Sequence, residues 1–223
     1  MRVNGNLQRH TGARSLTPQE VRVLGCLLEK QRTTPDVYPL SLNALRLACN
    51  QSTNRDPVVD YDESTVRDGL HRLERRGLVR LASGAGSRAA KYRHLLAEAL
   101  PMDSGEQAIM CILMLRGDQT PGELKQRSER MHPFDDLPAV QHKLERLIER
   151  DLIERLDRRP GQKEERYSQL LGRPEGEEGQ TPVARPAQGD DSSGDLHERL
   201  VRLEREVAEL RAAVRQPVGG SGP

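Results

Sequence analysis

One apolar pattern occurs twice in this chain of 223 residues, and the repeat limits the folds open to it more than any other feature. The stretch DESTVRDGLHRLERRGLV, residues 62–79, aligns with residues 136–153 at an offset of 74 positions. Large apolar residues coincide: Val66 with Val140, Leu70 with Leu144, Leu73 with Leu147, Leu78 with Leu152 and Val79 with Ile153. A pattern repeated at a fixed offset predicts two copies of one structural unit.

Each copy carries the signals of three helices. Thr17–Glu20 and Thr120–Glu123 are capping boxes with Pro at the first helical position, and Asp103–Glu106 offers a similar cap. Apolar residues at helical spacing follow the first and third of these caps, as expected for first helices. Second helices are predicted over residues 41–50 and 120–128. The third helix of each copy is the aligned stretch itself.

A short apolar strand, a turn and a returning strand follow each third helix. The turns are SGAGSRAAKY, residues 83–92, and RRPGQKEERY, residues 158–167, and their Gly and Pro residues suit β-hairpins. Tyr92 aligns with Tyr167 at an offset of 75 positions. Three helices followed by a hairpin form the winged helix, a variant of the helix-turn-helix.

The expected fold class is therefore mainly α with small β-hairpins, built as two tandem winged-helix domains plus a C-terminal coiled-coil helix. The domains span residues 16–98 and 102–171. Residues 1–15 are predicted to be a disordered extension. Residues 172–194 contain many Gly and Pro without an apolar period, which is typical of a flexible linker. The coiled-coil helix is predicted over residues 195–216.

The C-terminal helix has apolar residues at alternating spacings of four and three, which form a heptad seam. Valine at two of the a positions with leucine at the d positions favours a parallel two-stranded coil, and so a homodimer. A single amphipathic helix folded back on its own chain is the alternative. The predicted dimer seam consists of Leu196, Leu200, Leu203, Val207, Leu210 and Val214.

Composition argues against an enzyme. Aromatic residues make up only 2% of the chain and Trp is absent, whereas cofactor pockets are usually lined with apolar and aromatic groups. Cys26, Cys49 and Cys111 are widely separated and lack the spacing of a zinc site, so we interpret them as small buried residues. We expect no catalytic residues, no metal and no cofactor. Without a signal peptide or an apolar membrane span, the protein is expected to be cytoplasmic.

The third helix of the first copy places cations opposite its apolar residues. Arg67, His71 and Arg75 recur at four-residue spacing, with Arg72 beside them. Residues 62–93 carry eight Arg and Lys against four Asp and Glu, a net charge of +4. The corresponding helix of helix-turn-helix proteins contacts base edges and phosphates in the major groove. The predicted contacts with double-stranded DNA are Arg67, His71, Arg72, Arg75, Arg88 and Lys91.

The second copy lacks this charge. Gln141, Glu145 and Glu149 occupy the positions of the first copy's cations, and residues 136–167 carry eight basic and eight acidic groups. Acidic groups would repel phosphates, so these three residues are instead candidates for docking a protein partner. A helix face of mixed charge can also be simply solvated, and Asp68 lies within the first copy's outward face.

The stretch ACNQSTNRDPV, residues 48–58, is the polar connection between the second and third helices of the first copy. Its Asn, Ser, Thr and Asp residues are typical of tight turns, and Cys49 has no base near it to act as a nucleophile. Two interpretations stay open: internal hydrogen bonding of a long loop, or donors presented to a phosphate or a partner. The candidate contacts are Asn50, Gln51, Asn54 and Arg55.

Three motifs give the chain a family resemblance: GCLLEKQRTTPDVYPLSLNALRLACNQSTNRDPV, the turn SGAGSRAAKY, and LMLRGDQTPGEL. They resemble the YceH family of bacterial proteins, and the resemblance extends from Leu16 to Leu171. It implies a tandem winged-helix fold but supplies no activity and no catalytic residues. The extension before Leu16 departs from the family's shorter start.

Together these observations predict a non-enzymatic DNA-binding protein, either a transcriptional regulator or a chromosome-associated factor, that uses its first copy. The alternative is an adaptor whose tandem winged helices dock a protein partner without DNA. Fold alone does not decide between them.

Overall fold

A computed structural model describes residues 15–82, 89–158 and 164–172. The prediction for Arg88 lies outside these residues, and so do the predictions for the linker beyond residue 172 and for the coiled-coil seam from Leu196 to Val214. The described part of the chain is mainly α-helical with small antiparallel sheets, as the sequence predicts at this level. None of its helices is both long and apolar enough to cross a membrane.

The first half of the described chain contains four α-helices and three strands. They follow one another as α1 (Pro18–Thr33), β1 (Leu40–Ser41), α2 (Leu42–Cys49), α3 (Glu63–Arg75), β2 (Val79–Leu81), β3 (Lys91–His94) and α4 (Leu96–Ala99). A turn of 3-10 helix, Pro35–Val37, connects α1 to β1.

The second half repeats the order of three helices and a hairpin. Its elements are α5 (Ser104–Arg116), α6 (Pro121–Ser128), α7 (Leu137–Glu149), β4 (Ile153–Leu156) and β5 (Arg166–Gln169).

The helices begin where their capping residues predict. Capping boxes are present at Thr17, Asp103 and Thr120, and in each the Glu three residues later accepts the backbone N–H of the cap residue. Asp62 and Asp136 accept a backbone N–H at the starts of α3 and α7. Side-chain caps satisfy N–H groups that a helix start otherwise leaves unpaired.

The hairpins form the two sheets of the described chain. The first sheet has the strand order β1-β3-β2, and the second consists of β4 and β5, with all pairs antiparallel. Strand β1 was not expected from the sequence. It pairs Leu40 with Tyr92, and in the second half Gln119 forms the equivalent isolated bridge with Tyr167. Both halves therefore tie the start of their second helix to the returning strand of the hairpin.

The repeat also holds in backbone detail. Gly77 and Asp151, which are 74 positions apart, both have positive φ, at 69° and 54°. In each half, the N–H of the next residue donates to a carbonyl at the end of the third helix, Leu78 to Leu73 at 2.9 Å and Leu152 to Leu147 at 3.0 Å. The third helix therefore turns into the first strand of the hairpin in the same way in both halves.

Residues from both halves share one core. Val66, Leu70 and Leu73 are fully buried, which confirms the apolar face predicted for α3. Helix α1 packs against α5 so closely that a Cβ atom on Gly25 would lie 2.9 Å from Leu115 Cδ2. The described residues accordingly belong to one compact unit.

Candidate nucleic-acid interface

Helix α3 presents three of the predicted contact residues to solvent. Arg67, His71 and Arg75 are all exposed, on the side of the helix opposite its buried residues. Arg67 forms an ion pair with Glu63, one turn earlier. Because both partners of this pair are about half exposed, it is weak and can exchange for a phosphate contact.

The start of α3 is fixed by Asp62. Its carboxylate accepts the Thr65 N–H at 2.7 Å and the Ser64 hydroxyl at 2.9 Å. The hydrogen bonds from Thr65, then that from Ser64, lower the pKa of Asp62 below its ordinary value. The charged cap stabilises the first turn of α3, while the buried Val66, Leu70 and Leu73 set the direction in which its exposed face points.

Arg72 has an ion-pair partner that the sequence did not reveal. Its Nε atom lies 3.4 Å from Glu20 Oε1, and Arg76 Nε lies 3.6 Å from the same oxygen. The Glu20 side chain is fully buried, whereas the Arg72 side chain is 36% exposed. Removing Arg72 from Glu20 would leave a buried carboxylate with less compensation, which is costly. Arg72 is therefore ion-paired with a buried carboxylate of another helix, and its contact with DNA stays a prediction.

The second half repeats this buried ion cluster. Glu106 is fully buried at the third helical position of α5, as Glu20 is in α1. Arg146 Nε lies 3.2 Å from Glu106 Oε1, and Arg150 Nη1 lies 3.4 Å from Oε2. Arg146 and Arg150 correspond to Arg72 and Arg76 at the 74-position offset. Both halves thus lock the third helix onto the first by one buried carboxylate and two arginines.

The hairpin beside α3 adds further positive charge. Lys91 is exposed at the start of β3, as the sequence prediction requires. Arg80 is also exposed on β2 and pairs in register with Arg93, which forms an ion pair with Glu98 at 3.1 Å. The sequence reasoning missed Arg80. The signal was the position of Arg80 directly after the apolar Val79, because successive side chains of a strand point to opposite faces.

The second half has no such cationic face on its third helix. Gln141, Glu145 and Glu149 are exposed along α7, at the positions that Arg67, His71 and Arg75 hold on α3. The two third helices therefore share their buried residues and differ in the charge of their outward residues.

The polar stretch 48–58 is held together by its own hydrogen bonds. The Asn50 amide donates to the Tyr61 carbonyl at 2.8 Å and accepts the Tyr61 N–H at 2.9 Å. Asn54 adopts a left-handed φ of 60° and accepts a hydrogen bond from Arg116. Gln51 accepts one from Arg55 at 2.8 Å. Asn50 and Gln51 therefore take part in hydrogen bonds within this connection and with Tyr61 just after it, whereas Asn54 links the connection to α5.

Arg55 is the centre of this network and not a surface contact. Its side chain is fully buried, and its two terminal nitrogens donate to the Glu29 carboxylate at 3.1 and 2.6 Å. Its Nε–H donates to the Ala48 carbonyl at 3.1 Å. A guanidinium with these partners is unavailable to a phosphate, so the structure corrects the suggested role of Arg55 as a contact.

The three cysteines lie in the core. Burial raises the pKa of the Cys111 thiol well above its usual value. A hydrogen bond with Cys26, followed by burial, raises the pKa of Cys49. Protonated thiols such as those of Cys49 and Cys111 are poor nucleophiles and poor metal ligands. Within the described ranges, no group of three or more His, Cys, Asp or Glu residues is placed to hold a metal ion.

Comparison with known proteins identifies the family. The model of a protein family of unknown function, DUF480, matches residues 16–162. A UPF0502 protein of Pelobacter propionicus is 49% identical over 208 residues, which cover 89% of this chain and 94% of that protein. A UPF0502 protein of Solibacter usitatus is 47% identical over 201 residues, which cover 90% of this chain and 95% of that protein.

A third relative, a UPF0502 protein of Geotalea daltonii, is 53% identical over 171 residues, which cover 75% of this chain and 78% of that protein. These matches confirm the family resemblance found in the sequence. The chain belongs to the DUF480 family of bacterial proteins of unknown function, whose members in these three organisms carry the name UPF0502.

Proposed function

We propose that the chain is a cytoplasmic, non-enzymatic protein with two tandem winged helices that binds double-stranded DNA through the first of them. The observation that carries the proposal is the exposed cationic face of α3. Arg67, His71 and Arg75 lie on it, whereas the second copy has an amide and two carboxylates at these positions.

The order of elements supports the winged-helix assignment. In each half two helices precede a third helix, which leads directly into an antiparallel hairpin. In winged-helix proteins the third helix enters the major groove and the hairpin flanks it. In the first half this arrangement brings the exposed Arg80 and Lys91 to the strands next to α3.

Electrostatics supports the choice of the first copy. Leaving aside Arg72, which is ion-paired with the buried Glu20, and Arg55, whose own side chain is buried, the first copy still offers three exposed arginines, Arg67, Arg75 and Arg80. Each arginine that neutralises a phosphate releases condensed counterions, and binding then weakens as salt rises. Contacts of this kind supply affinity and register, and base-edge contacts from α3 would supply specificity.

The test is fluorescence anisotropy of a labelled random-sequence duplex at two salt concentrations. Wild-type protein should bind with an affinity that falls steeply with salt. The double variant Arg67→Glu/Arg75→Glu should lose binding. The matched control is Arg155→Glu/Arg158→Glu, which makes the same change in net charge on the exposed hairpin of the second half and should bind as wild type does.

Either of two results would refute the proposal. Wild-type protein that fails to bind even at low salt would show that α3 is not a DNA reader. Equal losses in the α3 variant and in the control would show that the binding depends on net charge alone.

A second candidate function is protein docking by the second copy. The exposed Gln141, Glu145 and Glu149 on α7 favour it, since they form a face that repels phosphates but suits a basic protein surface. If wild-type protein does not bind DNA, this candidate replaces the first. Changing the three residues to Arg should then abolish capture of the partner in a pull-down, and an undiminished capture would exclude α7 as the docking face.

We also propose that the chain forms a homodimer through the heptads of residues 195–216. These residues lie outside the described part of the chain. The support is therefore the sequence pattern of Val and Leu at the a and d positions. Sedimentation velocity should show a dimer for the full chain and a monomer for a chain that ends at Gly172. Two monomers would refute the coiled coil as a dimer interface.

A further inference from the structure

A cavity of about 280 Å³ lies on the side of the molecule where the two halves meet. It is bounded by the C-terminal part of α1, by residues 51–54 of the connection between α2 and α3, by the C-terminal part of α5, and by the end of α6. The volume is close to the lower limit of about 300 Å³ for small-molecule pockets. The cavity can therefore hold a compact ligand.

Charged residues of one sign dominate the wall. Lys30, Arg116, Arg127 and Arg130 line the cavity, and Glu29 is the one acidic group among the described residues of its lining. Clefts lined by one sign of charge concentrate ligands of the opposite sign.

The negative charge of Glu29 is compensated by Arg55, which lies outside the cavity lining. Both of its carboxylate oxygens accept hydrogen bonds from Arg55, at 3.1 and 2.6 Å. Arg55 is buried and does not line the cavity. Lys30 Nζ also lies 3.7 Å from Glu29 Oε2, so the charge of Glu29 is shared between Arg55 and Lys30. The proposal therefore rests on the other cations of the wall, Arg116, Arg127 and Arg130.

Two of the cations are also incompletely compensated by their nearest acidic neighbours. Arg127 Nη2 lies 3.6 Å from Glu123 Oε1, but the other oxygen of that carboxylate accepts from Thr120 N–H at 2.8 Å and from Arg166 at 3.1 Å. Arg116 donates to the neutral amide oxygen of Asn54. Burial, followed by the charge of Arg127, lowers the pKa of Arg116, since both disfavour its positive charge.

The rest of the wall includes an apolar part. Ile112 and Leu115 of α5 and the partly buried Met131 line the same cavity as the arginines. Guanidinium groups bind phosphate and carboxylate oxygens in a planar fork, while an apolar surface accommodates a carbon skeleton.

We propose that this cavity binds a small organic molecule with at least two negative charges, held by Arg116, Arg127 and Arg130. The charged group is a phosphate or a pair of carboxylates, since the arginine fork fits either. The site lies outside the exposed face of α3 and does not require the chain to bind DNA.

The test is isothermal titration calorimetry on the full chain with two probes, pyrophosphate and citrate, at constant ionic strength in chloride. Saturable binding of at least one probe is expected, and the stronger probe identifies the phosphate or the carboxylate source. Arg127→Gln should weaken that binding about tenfold or more, because it removes a charge-assisted hydrogen bond.

Lys125→Gln is the matched control, since it removes one positive charge from the same helix at a residue outside the cavity lining. It should bind as wild type does. Arg130→Gln, at an exposed position of the rim, gives a second test should Arg127→Gln prove unstable. The Arg67→Glu/Arg75→Glu variant should bind the anion normally whatever its effect on DNA.

Three results would overturn the proposal. The first is the absence of saturable binding of either probe at millimolar concentrations. The second is an equal loss of binding in Arg127→Gln and Lys125→Gln, which would indicate general attraction to the protein's cations. The third is unchanged binding in both Arg127→Gln and Arg130→Gln, which would place the anion elsewhere.

Discussion

Replacing Gly25 with alanine tests how closely the first helices of the two halves pack. Gly25 lies in the middle of α1, where α1 contacts α5, and its carbonyl accepts the thiol of Cys111 at 3.5 Å. A Cβ atom at this position would lie 2.9 Å from Leu115 Cδ2, 3.0 Å from Leu115 Cγ and 3.3 Å from Met114 Cβ. The helices would have to separate or the core would have to repack.

Two opposing effects set the magnitude. Overpacking of a well-packed core costs about 1–3 kcal/mol. Removing a glycine from a helix interior contributes about 0.5–1 kcal/mol in the opposite direction. The free energy of unfolding of Gly25→Ala should therefore fall by about 1 kcal/mol relative to wild type, and by more for Gly25→Val.

Gly69 provides the matched control within α3. A Cβ atom there would lie 3.5 Å from Val23 Cγ2, which is an ordinary van der Waals contact. Gly69→Ala should therefore keep the helix-propensity gain and stabilise the protein by about 0.5–1 kcal/mol. Urea unfolding followed by circular dichroism measures both variants. If Gly25→Ala is as stable as wild type or more so, α1 and α5 do not pack at the described distance.

Two further predictions concern buried ionisable groups. Glu20→Ala removes the carboxylate that Arg72 and Arg76 share, and the same carboxylate is the acceptor of the capping box. Both arginines are about one third exposed and can rehydrate. The free energy of unfolding measured in urea should therefore fall by about 2 kcal/mol. Burial lowers the pKa of His94 to about 4, so the unfolded chain takes up a proton at a higher pH than the folded chain does. Stability should consequently fall as the pH drops from about 6.5 towards 4, by up to about 1.4 kcal/mol per pH unit, and His94→Gln should flatten this dependence in urea unfolding.

Most helices of the described chain could be predicted because their signals are local. The caps at Thr17, Asp62 and Thr120 act on N–H groups two or three residues away, so the sequence alone contains both partners. Offsets of 74 positions for the third helix and first strand, and of 75 for the returning strand, then predicted these elements in one half from those in the other. Strand β1 could not be found in this way, because two residues show no alternation and their partner Tyr92 lies far along the chain.

The candidate site was predicted less completely, since a helical pattern gives the direction of a side chain but not its neighbours. Arg67, His71 and Arg75 are exposed as expected. Arg72 lies next to these residues on the same helix, yet it forms an ion pair with Glu20 of another helix. The ion pair could have been found from the repeat. Arg72 and Arg146 are 74 positions apart, and each half has a glutamate in the capping box of its first helix.

Arg55 shows the same limit in a loop. The polar stretch that contains Arg55 has the composition of a solvent-facing turn. The local sequence does not indicate that Glu29 of α1 lies beside Arg55. Long-range ion pairs of this kind depend on the packing of whole helices and have no periodic signature.

The backbone N–H of Leu16 donates to the carbonyl of Leu171 at 2.8 Å, so the first and last described segments lie side by side. A short peptide could therefore join these two positions, and new ends could be opened between α4 and α5. Such a circular permutation would exchange the order of the two halves along the chain while it keeps their contacts. Folding of the permuted chain would then report on the interface between the halves, independently of which half is synthesised first.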